Sequence, residues 1–127
     1  MPQPPKKPMN HSVVIALASN YSQQQHLREA QQRLTQMLTA CRFTDAIWTD
    51  PVNSSRPDQY LNQLVYAETD MSFAQLVEML KQTEMAMGRS QEERRQGIVR
   101  IDLDVMRYDD QRYHLKDWEQ NYIKKML

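Results

Sequence analysis

Two stretches of helical spacing, each fenced by short runs of strand spacing, constrain this chain more than any other feature. "HSVVIALAS" is a short apolar, β-branched run that reads as a buried strand over 12–18. Ser22 followed by Gln25 makes a capping-box pattern, and Leu27, Ala30, Leu34, Met37, Leu38 and Cys41 recur at helical spacing through about 41. "FTDAIWTDP" reads as a second strand that ends before Pro51, and "VNSSRPDQ" is loop by composition. "YLNQLVYAET" alternates Leu61, Gln63, Val65 and Ala67 against Tyr60, Asn62, Leu64 and Tyr66, a third strand. Ser72 with Gln75 repeats the capping box, opening a helix with Phe73, Leu76, Val77, Leu80 and Met87 on its stripe. "GRSQEERRQG" breaks that helix with glycine at both ends, and "GIVRIDLDVMRY", 97–108, supplies the fourth strand.

The order is strand, helix, strand, strand, helix, strand. It predicts an α+β, ferredoxin-like βαββαβ fold: a four-stranded antiparallel sheet with two helices on one face. Trp118, Tyr122 and Met126 at i, i+4 and i+8 add a short amphipathic C-terminal helix. A chain of 127 residues fits one domain, expected over 11–127, behind a Pro-rich lead, "MPQPPKKPMN", read as disordered.

The charge balance narrows the partners. Sixteen Lys and Arg offset sixteen Asp and Glu, so a nucleic-acid partner is not expected and phosphate recognition has to be local. No apolar run approaches the roughly 20 residues of a membrane span, and a single Cys41 fits a reducing, cytoplasmic setting.

Chemistry concentrates in the last strand. Ile101, Leu103 and Val105 make its apolar face, while Arg100, Asp102, Asp104 and Met106 share the other. Carboxylates at i and i+2 project the same way, roughly 7 Å apart at Cα. Such a pair suits Mg²⁺, which takes hard oxygen ligands and completes its shell with water and substrate phosphates. A half-covered sheet with an ordinary solvated face would show the same two residues. Glu84, four after Leu80 and three before Met87, falls on the buried stripe of the second helix, where a carboxylate needs a partner or a task. Arg89, Arg94 and Arg95 lie between two glycines among Gln91, Glu92 and Glu93: a solvated loop, or a lid whose guanidiniums close on phosphates. His11, His26 and His114 show no ligand spacing, and His114 reads as packing or surface.

Taken in order, these pieces resemble a known family. "IALASN" is similar to a hydrophobic-Gly-Ser-Asn first strand, "WTDPV" to a Thr-Pro-Pro-Leu segment and "YLNQLV" to a Tyr-Leu-Asn motif. "EMAMGR" matches Glu-x-x-x-Gly-Arg, and "RIDLDVM" matches a Leu-Asp-Leu-Asp-Ile strand. Over roughly 12–108 the chain resembles the 6-hydroxymethyl-7,8-dihydropterin pyrophosphokinases of folate biosynthesis. The resemblance implies transfer of pyrophosphate from ATP to the hydroxymethyl of a reduced pterin, with release of AMP. By position it implies Mg²⁺ on Asp102 and Asp104, and a pterin pocket of Thr49, Val52, Tyr60 and Asn62. It puts Arg89 near the phosphates and Glu84 behind the site.

Departures accompany the match. Ala18 stands for the family's Gly, Asp50 for its first Pro, Gln91 and Gln96 for a loop Arg and Trp, and Val99 for an Arg ahead of the last strand. Arg100 is one residue later, so alternation directs it to the opposite face from Val99. "YDDQRYHLKDWEQNYIKKML" replaces a Pro-His segment, an arginine and a stacking phenylalanine, with Trp118 or Tyr122 as candidate substitutes. Three functions are therefore carried forward: a pyrophosphokinase, a relative that binds nucleotide or pterin without turnover, and an interaction domain that reuses the fold.

Overall fold

The computed structural model describes residues 10–51 and 56–127. Strand β1 (His11–Ser19) leads into helix α1 (Gln23–Met37), then strands β2 (Thr39–Phe43), β3 (Ile47–Thr49) and β4 (Tyr60–Thr69). Helices α2 (Phe73–Ala86) and α3 (Gln91–Arg95) follow, then strands β5 (Asp102–Tyr108) and β6 (Gln111–Arg112) and helices α4 (Leu115–Trp118) and α5 (Asn121–Met126). The sheet runs β2-β4-β1-β5-β6, with β3 also on β4, and every pairing is antiparallel.

The expected architecture holds in outline, but among the described residues the sheet has six strands, not four. One extra strand comes from splitting "FTDAIWTDP". Phe43 pairs with Val65 and Ile47 with Asn62, so four steps on one side meet three on the other and the chain must bulge between them. Thr44 fills the gap: its Oγ1 accepts the Leu64 amide at 3.1 Å, and Gln63 Nε2 donates to its carbonyl at 2.6 Å. The other extra strand, β6, folds back on β5 through a turn at Asp109, whose φ is +50°.

Helix α1 stops at Met37, short of the expected 41. Leu38 is extended and Cys41 packs against the core from β2, so an apolar spacing that suited a helix is met by a helix end plus a strand. Met37, placed on the stripe by its spacing, is 39% exposed. Ser22 sits left-handed at φ +43° and makes no side-chain cap, so the first capping box does not form. The second does: Ser72 Oγ accepts the Gln75 amide and Gln75 Oε1 accepts the Ser72 amide.

One core lies between the sheet and the two long helices, where Leu27, Ala30, Leu34, Leu76 and Leu80 meet Val13, Ile15, Leu17, Ile101, Leu103 and Val105. The opposite face of the sheet is not left bare. Trp118, Ile123 and Met126 of α4 and α5 seal Val14, Leu64 and Met106 into a second cluster. The C-terminal segment thus forms two short helices instead of one, folded across the Asp-bearing face. The expected disordered lead falls, but for residue 10, outside the described residues.

Candidate active site

Strand alternation sends Leu103 into the core at 5% exposure and leaves Asp102 and Asp104 half-buried on the opposite face. Leu103 links the two aspartates, and its amide is held by Glu84 Oε2 at 2.7 Å. The other oxygen of Glu84 accepts from Arg89 Nη1. Glu84, 4% exposed, therefore clamps α2 to the middle of the Asp-x-Asp strand and ties down Arg89 beyond the helix end. Burial pushes its carboxyl up, against the Leu103 amide and the Arg89 guanidinium, which pull it down.

The segment after α2 is a built element, not an open loop. Ser90 caps α3 through the Glu93 amide at 3.2 Å, and Arg100 grips Glu93 with two bonds of 2.7 Å. Asn20 donates to the Gly97 carbonyl at 2.8 Å and accepts the Val99 amide at 2.7 Å, which seats the stretch leading into β5. Arg100 lies 5.6 Å from the Tyr21 ring centroid, so it serves this scaffold. Arg94 points the other way, with Nη1 at 3.1 Å from Asp102 Oδ1.

Two clefts open on this region. One, about 560 Å³, is lined by Lys81, Glu84, Arg89, Arg94, Tyr113 and His114 among others. The second, about 540 Å³, is lined by Thr49, Asp50, Tyr60, Asn62, Gln63, Asp117, Gln120 and Tyr122 among others. Asp102 and Asp104 belong to both clefts, and among the described residues no other does. Burial pushes the Asp104 carboxyl up and the adjacent Asp102 adds to the rise, while His114, with Nε2 at 4.0 Å, opposes it.

In the second cleft, Asn62 Nδ2 donates to Thr49 Oγ1 at 2.8 Å and to the Ile47 carbonyl at 3.1 Å. These bonds fix the amide on the β3–β4 edge. Burial raises the Tyr60 hydroxyl, with Asp102 adding to it and Arg94 opposing. Burial raises Tyr122 as well, helped by Asp117 and Asp104. Trp118 is spent on packing: it is 8% exposed, and its Nε1 donates to the Tyr113 carbonyl at 3.0 Å and the Met106 carbonyl at 3.2 Å. Tyr122 is the tail aromatic that reaches the cleft.

A model of the 7,8-dihydro-6-hydroxymethylpterin-pyrophosphokinase family matches residues 14–126. The chain belongs to this family. The match runs through α4 and α5, past the 108 at which the motifs end. The chain is 33% identical over 104 residues to the 2-amino-4-hydroxy-6-hydroxymethyldihydropteridine pyrophosphokinase of Bacillus subtilis (strain 168), covering 80% of this chain and 62% of that protein. It is 26% identical over 121 residues to the folate synthesis bifunctional protein of Arabidopsis thaliana, covering 87% of this chain and 25% of that one. The chain thus spans under two thirds of the length of each of these relatives.

The residues singled out by sequence converge: Glu84, Arg89, Asp102 and Asp104 in one cleft, and Thr49, Tyr60, Asn62 and the same aspartates in the other. Val52 lies outside the described residues. Lys81 and Asp117 were missed, because spacing along one element does not say what another element brings alongside. His114, expected at the surface or in packing, is exposed and also lines the first cleft.

The fit of Mg²⁺ follows from the donors. Among the described residues no third Asp, Glu, His or Cys completes a metal group with the aspartate pair. Two hard carboxylates at a cleft junction suit an ion that keeps waters and draws its other ligands from phosphates.

Proposed function

We propose that this chain transfers a pyrophosphoryl group from ATP to the hydroxymethyl of 6-hydroxymethyl-7,8-dihydropterin. One observation carries the reading: two clefts of similar size share, among the described residues, the Asp102–Asp104 pair alone, as a transfer between two bound substrates needs. The triphosphate belongs in the first cleft, beside Arg89, Arg94 and Lys81. The flat pterin belongs in the second, between Tyr60 and Tyr122, with Asn62 and Thr49 at its polar edge.

Asp102 and Asp104 would hold Mg²⁺, which when bound neutralises phosphate charge and supports in-line displacement. The chain's own residues do the rest by positioning. Glu84 holds the strand between the two aspartates, Arg89 supplies positive charge at the phosphates, and the tail helices wall off water from the pterin side. The pterin oxygen bonds to the β-phosphorus, the bond from that phosphorus to the bridging oxygen breaks, AMP leaves with the oxygen, and the hydroxyl proton passes to water.

No helix among the described residues is long and apolar enough to cross a membrane. We place the reaction in the cytoplasm, a reducing setting that suits the free Cys41, with no nucleic-acid or membrane partner.

A second reading, binding without turnover, is supported by where the guanidiniums sit. Arg89, Arg94 and Arg100 each engage a carboxylate of this chain. A chromatographic assay with ATP, Mg²⁺ and the reduced pterin separates the two. AMP that forms only with the pterin and disappears in Asp102→Asn establishes the kinase. Nucleotide or pterin binding without AMP establishes the second reading, and neither binding nor AMP overturns both.

A further inference from the structure

Four guanidiniums lie between residues 89 and 100, and the structure gives them different work. Arg89 is committed to Glu84, whose side chain is 5% exposed. Arg100 is committed to Glu93 by two short bonds and lies over Tyr21. Arg95 is 73% exposed beside an equally exposed Glu92 and does not line the cleft. Arg94 is alone in pairing with an aspartate of the site while lining the cleft on its phosphate side.

We propose that Arg94 is a phosphate-clamping residue held in reserve on Asp102, released when a divalent cation takes that carboxylate. The inference rests on the functional reading above. Both partners of the pair are about one-third exposed, at 35% and 30%, so water reaches them and the bond is weak compared with cation coordination. The base of the arginine is firm. Ser90, the Glu93–Arg100 pair and Asn20 seat α3 and the segment after it, so only the Arg94 side chain has to turn.

A guanidinium freed at that point stays in the cleft with Arg89 and Lys81, facing a polyphosphate whose planar oxygen pairs match its fork. Without a cation, the same arginine neutralises Asp102 beside the half-buried Asp104. One residue thus serves the empty and the occupied site.

The proposal has a signature that a merely structural arginine lacks: its removal strengthens one ligand and weakens another. Mn²⁺ alone is titrated into wild type, Arg94→Ala, Arg94→Lys and Asp102→Asn, followed by electron paramagnetic resonance. Binding of α,β-methylene ATP with Mg²⁺ is then measured by calorimetry. Arg94→Ala is expected to bind Mn²⁺ about two- to fivefold tighter, because its competitor is gone. The same variant is expected to bind the nucleotide at least about tenfold more weakly, with turnover down about a hundredfold or more. Arg94→Lys, which keeps the charge but not the fork, is expected between the two.

Weaker binding of both ligands in Arg94→Ala, or no change in either, overturns the proposal. Mn²⁺ binding that is absent from wild type and Arg94→Ala alike overturns the cation site itself, and this inference with it. Mn²⁺ binding lost only in Asp102→Asn, with no gain in Arg94→Ala, refutes the reserve role of Arg94 and leaves the site standing.

Discussion

Replacing Trp118 with alanine tests whether the C-terminal helices build one of the two clefts. Trp118 is 8% exposed in a cluster with Val14, Leu64, Met106, Ile123 and Met126. A buried indole removes up to about 250 Å² from water, worth at most about 6 kcal/mol at roughly 25 cal/mol per Å². Trp-to-Ala changes in cores cost about 3–5 kcal/mol. Hydrogen bonding adds little. The Met106 carbonyl keeps the Tyr113 amide at 2.9 Å, and only the Tyr113 carbonyl loses its indole partner. The tail can also come off the sheet, which caps the loss at its own docking free energy. Helices of four and six residues anchored by Trp118, Ile123 and Met126 put that cap near 3 kcal/mol.

Urea denaturation of Trp118→Ala is therefore expected to show a loss of about 3 kcal/mol. The amides of α5 are expected to lose their hydrogen-exchange protection. Affinity for the reduced pterin falls by about tenfold or more as Tyr122 and Gln120 leave the cleft, while α,β-methylene ATP binding stays within about twofold. Trp118→Phe, which keeps one aromatic ring but loses the second ring and the N–H, is expected to cost about 1–2 kcal/mol, most of it from lost packing. A loss under about 1 kcal/mol in Trp118→Ala with α5 exchange unchanged would refute the packing argument. Equal loss of both ligands would refute the separation of the clefts.

Further predictions follow from single contacts. Asp102→Asn and Asp104→Asn are each expected to abolish Mg²⁺-dependent nucleotide binding with melting temperatures kept within a few degrees; unchanged affinity in both would sink the site assignment. Ser72→Ala removes a formed capping box and is expected to cost about 1 kcal/mol by denaturation, whereas Ser22→Ala has no cap bond to lose. His11 and the Ser12 amide hold the Asp109 carboxyl below its ordinary range. A lowered acid stabilises the fold above the ordinary aspartate value near pH 4 and loses that contribution as pH falls through the folded value. Asp109→Asn should accordingly flatten the acid limb of stability against pH, and an unaltered limb would rule this pair out as its source.

How far the sequence carries depends on the range of the interaction. The strand holding Asp102 and Asp104 and the helix holding Glu84 were legible because alternation and helical spacing are properties of a few consecutive residues. The helix end at Met37 was not, since Leu38 and Cys41 reach the same core from a strand. Nor was the break at Thr44, which depends on how much of β4 lies opposite. Alternation put Met106 on the same face as the two aspartates, and that is its face. Yet it is 1% exposed, because a tail beyond the strand folds over it.

The sequence by itself determined the α+β order, the single-file placement of the motifs and the two carboxylates on one strand face. Only the tertiary structure decided that Glu84 holds the amide between them, that Arg94 and not Arg100 bonds Asp102, and that α4 and α5 wall the second cleft. The reason is physical. Periodicity records which side of its own element a residue faces, but a partner on another element is set by packing that couples distant segments, and no local pattern encodes it.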